Sequence, residues 1–293
     1  MTFEQLVIFV AVAEREHLTR AAEAIGLTPS AVSSAIKSLE AYYRIALFHR
    51  VGRRIELSAE GRAFLVEARA TLARVRAAEL MLSEMGGLSR GSLAIHASQT
   101  VASYWLPPLL MRFHAAYPGI ELNLVIGNTT SVAQAVRDGL AEIGFVEGDV
   151  EDGALSITAL ADDALQIVTA PGHPWSDGRP LTQEDLLQAS WVLRETGSGT
   201  RQAFEQALVE RGMDPRSLKV VLTFPSNEAV LSATRSGPCA AVVSGMAAQS
   251  QLHGGLLVQA NYRLPTRRFS LIRHKERRAS RACEALIALS RTS

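Results

Sequence analysis

Apolar residues near the amino terminus recur every three or four positions, which is the spacing of one buried face of a helix. Leu6, Phe9 and Ala13 predict a first helix with this pattern. An alanine-rich stretch over residues 18–25 predicts a second, short helix, which Gly26 would end because glycine readily adopts a left-handed conformation. The first 26 residues therefore predict the start of a small helical domain.

The third predicted helix has two different faces. Thr28 is a suitable N-cap and Pro29 a suitable first helical residue. An apolar stripe that can pack on the first two helices is formed by Val32, Ala35, Ile36 and Leu39. The opposite face carries Ser30, Ser33, Ser34 and Lys37. Short hydroxyls and one lysine can approach phosphates and base edges in a major groove, as on a helix-turn-helix recognition helix.

Positive charge follows this helix. Residues 51–57 predict a short hairpin that turns at Gly52. Five basic residues and one acidic residue lie from Lys37 to Arg54, whereas residues 1–60 as a whole carry seven of each sign. The positive charge is thus concentrated where DNA phosphates would lie. The alternative is a three-helix bundle whose charges are only solvated.

The run LTRAAEAIGLTPSAVSSAIKSLEAYYRIALFHRVGRRIELSAEG resembles the winged helix-turn-helix of LysR-type transcriptional regulators, and the resemblance has no gaps from Phe3 to about Gly61. It implies a domain over residues 1–60 that binds double-stranded DNA. The implied contacts come from Thr28, Pro29, Ser30, Ser33, Ser34 and Lys37, and on the wing from Arg53 and Arg54. Many members carry glutamine in place of Pro29 and arginine in place of Ser34. These departures bear on the base contacts and not on the docking mode.

Residues 58–88 predict one long helix. Its apolar seam follows alternating steps of three and four residues if Ala78 or Glu79 fills one gap, and it consists of Leu65, Ala68, Leu72, Val75, Leu82 and Met85. Such a seam packs either against its own chain or against a second copy, and we favour the second copy. Glycines and serines from Gly86 to Ser92 then predict a hinge. Residues 61–90 are therefore expected to form a linker that carries a dimerisation helix.

The resemblance agrees with this linker, because LysR-type regulators dimerise through the corresponding helix and commonly form tetramers. A dimer would place two recognition helices on the two halves of an imperfect palindrome in promoter DNA. The resemblance also implies RNA polymerase as a partner at the promoter.

Beyond Gly91, apolar runs alternate with helical stretches, which predicts α/β units around parallel sheets. The predicted strands cover residues 93–97, 121–126, 143–146, 165–170, 191–194, 219–223 and 240–243. The predicted helices cover residues 101–117, 131–140, 200–211, 227–236 and 282–289. The fold class expected for the whole chain is α/β with an N-terminal all-α winged helix-turn-helix.

Four of the turns that connect a strand to the next helix are rich in hydroxyls and amides. They lie at residues 98–100, 128–131, 196–200 and 226–227. Ligands of open α/β sheets bind beyond the carboxyl ends of the strands, and helix N-termini favour anions. Helix capping explains any single turn of this kind. The four turns together predict a site for a small carboxylate or oxyanion.

The runs GNTTSVAQAVRDGLAEIGFVEG, RETGSGTR and SNEAVLSATRSGPCAAVVS resemble the effector domain of LysR-type regulators. That domain has the fold of type II periplasmic solute-binding proteins. The resemblance implies an effector-binding domain over 91–293, with one subdomain of residues 91–161 and 267–293 and another of residues 162–266. Carried over by position, the pocket would use Ser98, Thr100, Thr129, Ser198, Thr200 and Asn227. We therefore expect a transcription regulator that a small, anionic effector modulates.

Composition changes this picture little. A hydrophobic share of 47% and a charged share of 20% are typical of globular proteins, and a net charge of +1 neither favours nor excludes nucleic acid. The amino terminus has no basic region ahead of an apolar stretch, and no uncharged run approaches membrane-spanning length. We expect a cytoplasmic protein without a membrane partner. Cys239 and Cys283 lie in apolar company, which predicts buried thiols rather than a disulfide.

Motifs for catalysis are missing from the sequence. The seven histidines show no spacing typical of metal ligands, and neither a phosphate loop nor a nucleophile turn occurs. We expect no enzyme, no metal site and no cofactor other than the effector. The alternative is an enzyme on a periplasmic-binding-protein fold, with Glu147 or Glu195 as its general acid or base. A stand-alone solute receptor is disfavoured by the N-terminal domain.

A basic segment lies near the carboxyl terminus. Residues 267–281 carry seven basic residues and one acidic residue. We interpret this segment as a solvated connection between a strand and a helix, with a second DNA-binding surface as the alternative.

Overall fold

The computed structural model describes residues 1–51, 54–85 and 91–291 of the chain. The chain divides into two compact units, one of residues 1–85 with 138–140 and the other of residues 86–137 with 141–293. The first unit holds the predicted helix-turn-helix and the second holds most of the predicted effector domain.

The N-terminal unit consists of helices and one hairpin in its described part. They are α1 (Phe3–Arg15), α2 (Leu18–Ala24), α3 (Pro29–Tyr43), β1 (Phe48–Val51), β2 (Arg54–Leu57) and α4 (Ala59–Met85). The hydroxyl of Thr28 accepts a hydrogen bond from the amide of Ala31, and Pro29 is the first residue of α3. The predicted helices and this cap are confirmed. The predicted turn at Gly52 lies outside the described residues.

One apolar core holds the N-terminal unit together. Phe9 is fully buried, and its ring contacts those of Phe48 and Phe64. Ala68 and Leu72, two residues of the predicted dimerisation seam, are buried in the same core, because α1 packs against α4. For these two residues the expectation of pairing with a second copy is therefore wrong. The side chains of the last seam residues lie outside the described part of the chain.

The second unit is built on a mixed β-sheet. Its strands are β3 (Gly91–Ser98), β4 (Ile120–Gly127), β5 (Ile143–Glu147), β6 (Leu155–Thr169), β7 (Ser190–Arg194), β8 (Lys219–Phe224), β9 (Ala240–Ser244), β10 (Val258–Gln259) and β11 (Thr266–His274). The spatial order is β4-β3-β5-β11-β6-β9-β7-β8, and β10 pairs with β6. β3 is parallel to β4 and β5, and β7 is parallel to β8 and β9. The predicted parallel pairing is thus present in both sets of strands, and β6 and β11, whose pairing the sequence did not predict, are antiparallel to their neighbours.

Helices lie between most of these strands. They are α5 (Leu106–Ala116), α6 (Thr129–Asp138), α7 (Gln183–Gln188), α8 (Gly199–Val209), α9 (Asn227–Ser236), α10 (Gly245–His253) and α11 (Arg281–Ser290), and a π-helical turn over Val101–Trp105 leads into α5. Among these helices and strands, the sequence pattern did not predict α7, α10, β10, β11 or the first ten residues of β6. In β11 and early β6, charged residues interrupt the apolar alternation that marks a strand.

Separate apolar cores support the two ends of the sheet. One contains buried residues between Leu93 and Phe145 and between Phe269 and Leu286. Two others contain buried residues between Leu165 and Leu264. The predicted subdomain boundaries fall inside β6 and β11, so these two strands belong to both subdomains.

We expect Phe9→Ala to destabilise the N-terminal unit by about 3–5 kcal/mol, because the truncation leaves a cavity where the ring was. Phe3→Ala is the control, since Phe3 lies on the same helix and is 49% exposed, and it should change stability by less than about 0.5 kcal/mol. The three tryptophans all lie between residues 105 and 191, so their fluorescence reports on the second unit. In a urea titration, Phe9→Ala should therefore shift a circular dichroism transition and leave the fluorescence transition in place. Equal behaviour of the two variants would contradict this assignment of the core.

Candidate DNA-binding face and ligand cleft

The predicted DNA contacts on α3 lie on its outer face. Thr28, Pro29, Ser30, Ser34 and Lys37 are exposed, and Ser33 is half-buried. The apolar stripe points the other way, since Val32, Ile36 and Leu39 are buried in the core. The polar face is therefore free to approach a DNA groove, as the sequence predicts.

Glu40 connects this helix to the hairpin. One oxygen of its carboxylate accepts hydrogen bonds from the amides of Leu47 at 2.7 Å and Phe48 at 3.1 Å, where β1 begins. The acidic residue of the basic segment is thus directed at the protein backbone, and it positions the wing. This role of Glu40 could not be predicted from the sequence, because nothing in the local pattern shows which backbone groups a carboxylate will meet.

The wing contributes Arg50, which is exposed on β1. Arg53 lies outside the described residues. The backbone of Arg54 begins β2 opposite Val51, and its side chain is not described. The DNA contacts of Arg53 and Arg54 therefore stay predictions.

The six predicted effector residues follow four different strands. Ser98 ends β3 and Thr100 lies just beyond it, Thr129 begins α6, Ser198 and Thr200 lie at the start of α8, and Asn227 begins α9. Each of the six is at most 4% exposed. Hydrogen bonds connect most of them through a few shared partners.

Glu147, the last residue of β5, is one such partner. Its carboxylate accepts a hydrogen bond from Ser98, and its backbone carbonyl accepts one from Thr129 at 2.8 Å. Its side chain is buried. Glu147 therefore brings the ends of β3 and β5 and the start of α6 together.

Other hydrogen bonds cross from one predicted subdomain to the other. The side-chain amide of Asn227 donates to Thr100 and its backbone amide donates to Gln99, both at 3.0 Å. The amide of Thr130 donates to the carbonyl of Gly197 at 3.2 Å. The two sides of the cleft are thus in direct contact.

Two glycines of the run RETGSGTR permit this contact. A Cβ atom on Gly199 would lie 2.0 Å from the carbonyl oxygen of Glu147, so any other residue would push α8 away from β5. Gly197 has a φ of +91°, in the left-handed region that favours glycine.

Arg194 is buried at the end of β7. Its guanidinium donates to both carboxylate oxygens of Glu195, at 2.8 and 3.0 Å. It also donates to Gln99 at 3.3 Å and to Asn227 at 3.2 Å. Arg194 therefore fixes the groups that bridge the cleft.

Arg267 is the second buried arginine. It donates to Asp163 at 2.8 Å and to Thr200 at 2.9 Å, and its Nη1 lies 3.7 Å from a carboxylate oxygen of Glu147. Ser244 also donates to Asp163, at 2.6 Å. The interpretation of residues 267–281 as a solvated connection is wrong for Arg267, because β11 carries it into the cleft and buries it. It agrees with the rest of the segment, where the exposed basic residues are Arg268, Lys275, Arg278 and Arg281.

The carboxylate of Glu195 bears on the enzyme alternative. Burial alone would raise the pKa of Glu195. The hydrogen bonds and charge of Arg194 and a hydrogen bond from Asn128 lower it by more, so the pKa of Glu195 lies below its ordinary value. A carboxylate that resists protonation is a poor general acid.

A pocket of about 470 Å³ opens beside the buried cluster. Its lining includes Thr129 and Ser198, with Arg137 and Arg201 among several acidic side chains. This volume is in the range of small-molecule sites.

Three further expectations concern other groups. Cys239 and Cys283 are free thiols, and Cys239 is only half-buried. Cys283 is buried, and its pKa is raised chiefly by this burial and next by the charge of Glu142. Throughout the described ranges, no cluster of three or more His, Cys, Asp or Glu residues could hold a metal ion. None of the helices in that part of the chain is long and apolar enough to span a bilayer.

Both units match known protein families. Residues 3–62 match the bacterial regulatory helix-turn-helix protein family of lysR type, and residues 86–293 match the LysR substrate binding domain. The transcriptional regulator YeiE of Escherichia coli K12, described as uncharacterized, is 32% identical over 284 residues, which cover 96% of this chain and 94% of YeiE.

Solved structures show the same fold. Full-length CbnR, in a crystal structure with its target DNA, has a TM-score of 0.69 at 20% identity and covers 100% of this chain and 99% of CbnR. The regulatory domain of CcmR from Synechocystis PCC6803, in complex with 2-PG, has a TM-score of 0.63 at 22% identity and covers 69% of this chain and 97% of that domain.

A winged helix-turn-helix joined to an α/β domain with a polar cleft defines a DNA-binding regulator with a ligand-binding domain. The chain belongs to the LysR family of transcriptional regulators. It binds DNA through the helix-turn-helix, and its second unit is the substrate-binding domain of that family. The predicted family and fold class are confirmed.

We expect Lys37→Gln to weaken binding to the promoter region next to the protein's own gene. Loss of one phosphate contact should reduce the slope of log affinity against log salt concentration by about 1. Arg216→Gln is the control, because it removes the same charge from a 94% exposed side chain of the second unit. Gel retardation over a salt series measures both slopes. An unchanged slope for Lys37→Gln would show that Lys37 makes no phosphate contact.

Proposed function

We propose that this regulator senses a small anion in the cleft of its second unit and changes transcription in response. The observation that carries the proposal is the burial of six hydroxyl and amide side chains with Arg194 and Arg267 at the carboxyl ends of the strands. Oriented hydroxyls, helix N-termini and guanidinium groups are the donors that bind carboxylates and oxyanions. The complex of the CcmR regulatory domain with 2-PG supports ligand binding by a domain of this fold.

The response depends on the contacts across the cleft. Asn227 with Thr100 and Thr130 with Gly197 hold the two subdomains in one arrangement. A ligand that binds one arrangement better than another shifts the population toward it. In a DNA-bound oligomer, such a shift would change half-site spacing or DNA bending and so the recruitment of RNA polymerase.

The proposal includes assembly with further copies of the chain, as a dimer through α4 and as a tetramer. Apolar side chains on both edge strands of the sheet support self-association, since Val125 and Ile126 of β4 and residues 220–222 of β8 are exposed. Exposed edge strands with apolar side chains are typical of surfaces that pair with another chain. Two copies would present two recognition helices to an imperfect palindrome.

The proposal excludes catalysis and a cofactor. Glu195 is ion-paired with Arg194, and Glu147 accepts a hydrogen bond from Ser98 and lies beside Arg267, so both candidate acid-base groups already have partners. We propose a cytoplasmic location, because a protein that acts on promoter DNA works where that DNA is.

The sensing function is tested with the full-length chain. Small anions are screened for an increase in melting temperature, and each anion that binds is tested for its effect on promoter binding. Thr100→Val keeps the side-chain shape and removes the hydroxyl, so it should abolish the ligand-dependent stabilisation. DNA is bound by the N-terminal unit, so the variant should still bind promoter DNA.

Thr158→Val is the matched control, because Thr158 is a half-buried residue of β6 that pairs with Leu271. It should retain the response to the anion. Loss of DNA binding by Thr100→Val would indicate misfolding rather than a lost contact. A full response of Thr100→Val to the anion would contradict the assignment of the cleft.

A further inference from the structure

We infer that the cleft selects a small oxyanion that also donates a hydrogen bond, and that Glu147 sets this preference. The inference rests on the proposed sensing function and concerns the chemical class of ligand at the same site. Its basis is that some polar atoms of the cleft can donate a hydrogen bond, whereas others can only accept one.

One group of residues at the site, the acceptor group of Ser98, Thr129 and Glu147, presents lone pairs. Ser98 donates its single hydroxyl hydrogen to the carboxylate of Glu147. Thr129 donates its hydroxyl hydrogen to the backbone carbonyl of Glu147. The Glu147 side chain is only 1% exposed, and a carboxylate offers acceptors alone. A ligand atom against this group is therefore stabilised only if it carries a hydrogen.

A second group, the donor group of Thr100, Thr200 and Arg267, presents hydrogens. The hydroxyl oxygen of Thr100 accepts from Asn227 and that of Thr200 accepts from Arg267, so both hydroxyl hydrogens can be donated to a ligand. Nη2 of Arg267 is buried and has no hydrogen-bond partner in the described part of the chain. A buried donor of a charged group needs an acceptor, and a ligand oxygen would supply one.

The two groups are close together. Nη1 of Arg267 lies 3.7 Å from the Glu147 carboxylate and donates to Thr200. Gly199 packs against the backbone of Glu147 and leaves no room for a Cβ atom. A ligand that contacts both groups must therefore be small, with anionic oxygens for the donor group and a hydroxyl for the acceptor group. Hydrogenphosphate and glycolate meet this requirement, and sulfate and acetate do not.

Two pairs of probes test the inference on the full-length protein by calorimetry at pH 7.5. Phosphate is compared with sulfate and glycolate with acetate, because each pair differs mainly in one hydrogen-bond donor. In at least one pair, phosphate over sulfate or glycolate over acetate, the wild type should bind the ligand with the extra donor at least about 10-fold more tightly. The reason is that a donor-free anion sets its negative charge against the negative Glu147 carboxylate with no hydrogen bond between them.

Glu147→Gln retains the shape of the side chain and removes its negative charge. In this variant the preference should fall to less than about 3-fold, chiefly through tighter binding of the donor-free anion, since the amide can donate to it. Glu210→Gln is the matched control, because it makes the same change at an exposed residue that caps α8 outside the cleft. It should keep the wild-type preference.

Equal binding of the two members of each pair by the wild type would overturn the inference, and that comparison needs no variant to fold. If Glu147→Gln folds and still prefers the ligand with the extra donor as strongly as the wild type does, Glu147 does not set the preference. If only larger anions from the melting screen bind, the inference about ligand class fails while anion sensing stands. If no anion binds at all, sensing itself fails and this inference fails with it.

Discussion

The antiparallel pairing of β6 with β11 is the constraint on which the ligand-binding unit depends. These are the two strands through which the chain passes between the subdomains, and they pair along nine residues of β11 from Thr266 to His274. The register places Arg267 directly opposite Asp163, and the two side chains form an ion pair at 2.8 Å. Because both strands belong to both subdomains, a change in the angle between the subdomains has to occur around this ladder. Arg267 and Asp163 therefore lie at the pivot of such a change.

The burial of charge at this position needs a physical reason other than stability. Removing charges from water costs about as much as their mutual attraction returns, so a buried ion pair contributes little net stability compared with apolar packing. Arg194 is satisfied by Glu195, Gln99 and Asn227 and acts as a clamp across the cleft. Arg267 differs, because one of its nitrogens has no partner among the residues described. The two arginines thus have separate roles, one in holding the cleft and one in offering a donor.

The sequence predicted the parts of this molecule that local patterns determine. Helices α1 to α3, the cap at Thr28 and the hydroxyl-rich turns all follow from residues within one or two helical turns of each other. Which charged residues are buried, and which partners they contact, could not be predicted in this way. Arg267 and Asp163 are 104 positions apart, and Gln99 and Asn227 are 128 positions apart. Arg267, in a basic segment that looks solvated on its own, becomes buried only because a distant carboxylate and a neighbouring strand cover it.

The contacts across the cleft limit what a ligand can do in this fold. The hydrogen bonds from Asn227 to Thr100 and from Thr130 to Gly197 are made by protein groups alone, so they favour the observed arrangement whatever occupies the cleft. A ligand shifts the equilibrium only by as much as it prefers one arrangement over another. That difference has to come from groups whose partners change between arrangements. Arg267 is placed to be such a group, because it lies at the pivot, its Nη2 has no partner among the residues described, and its Nη1 lies 3.7 Å from the Glu147 carboxylate.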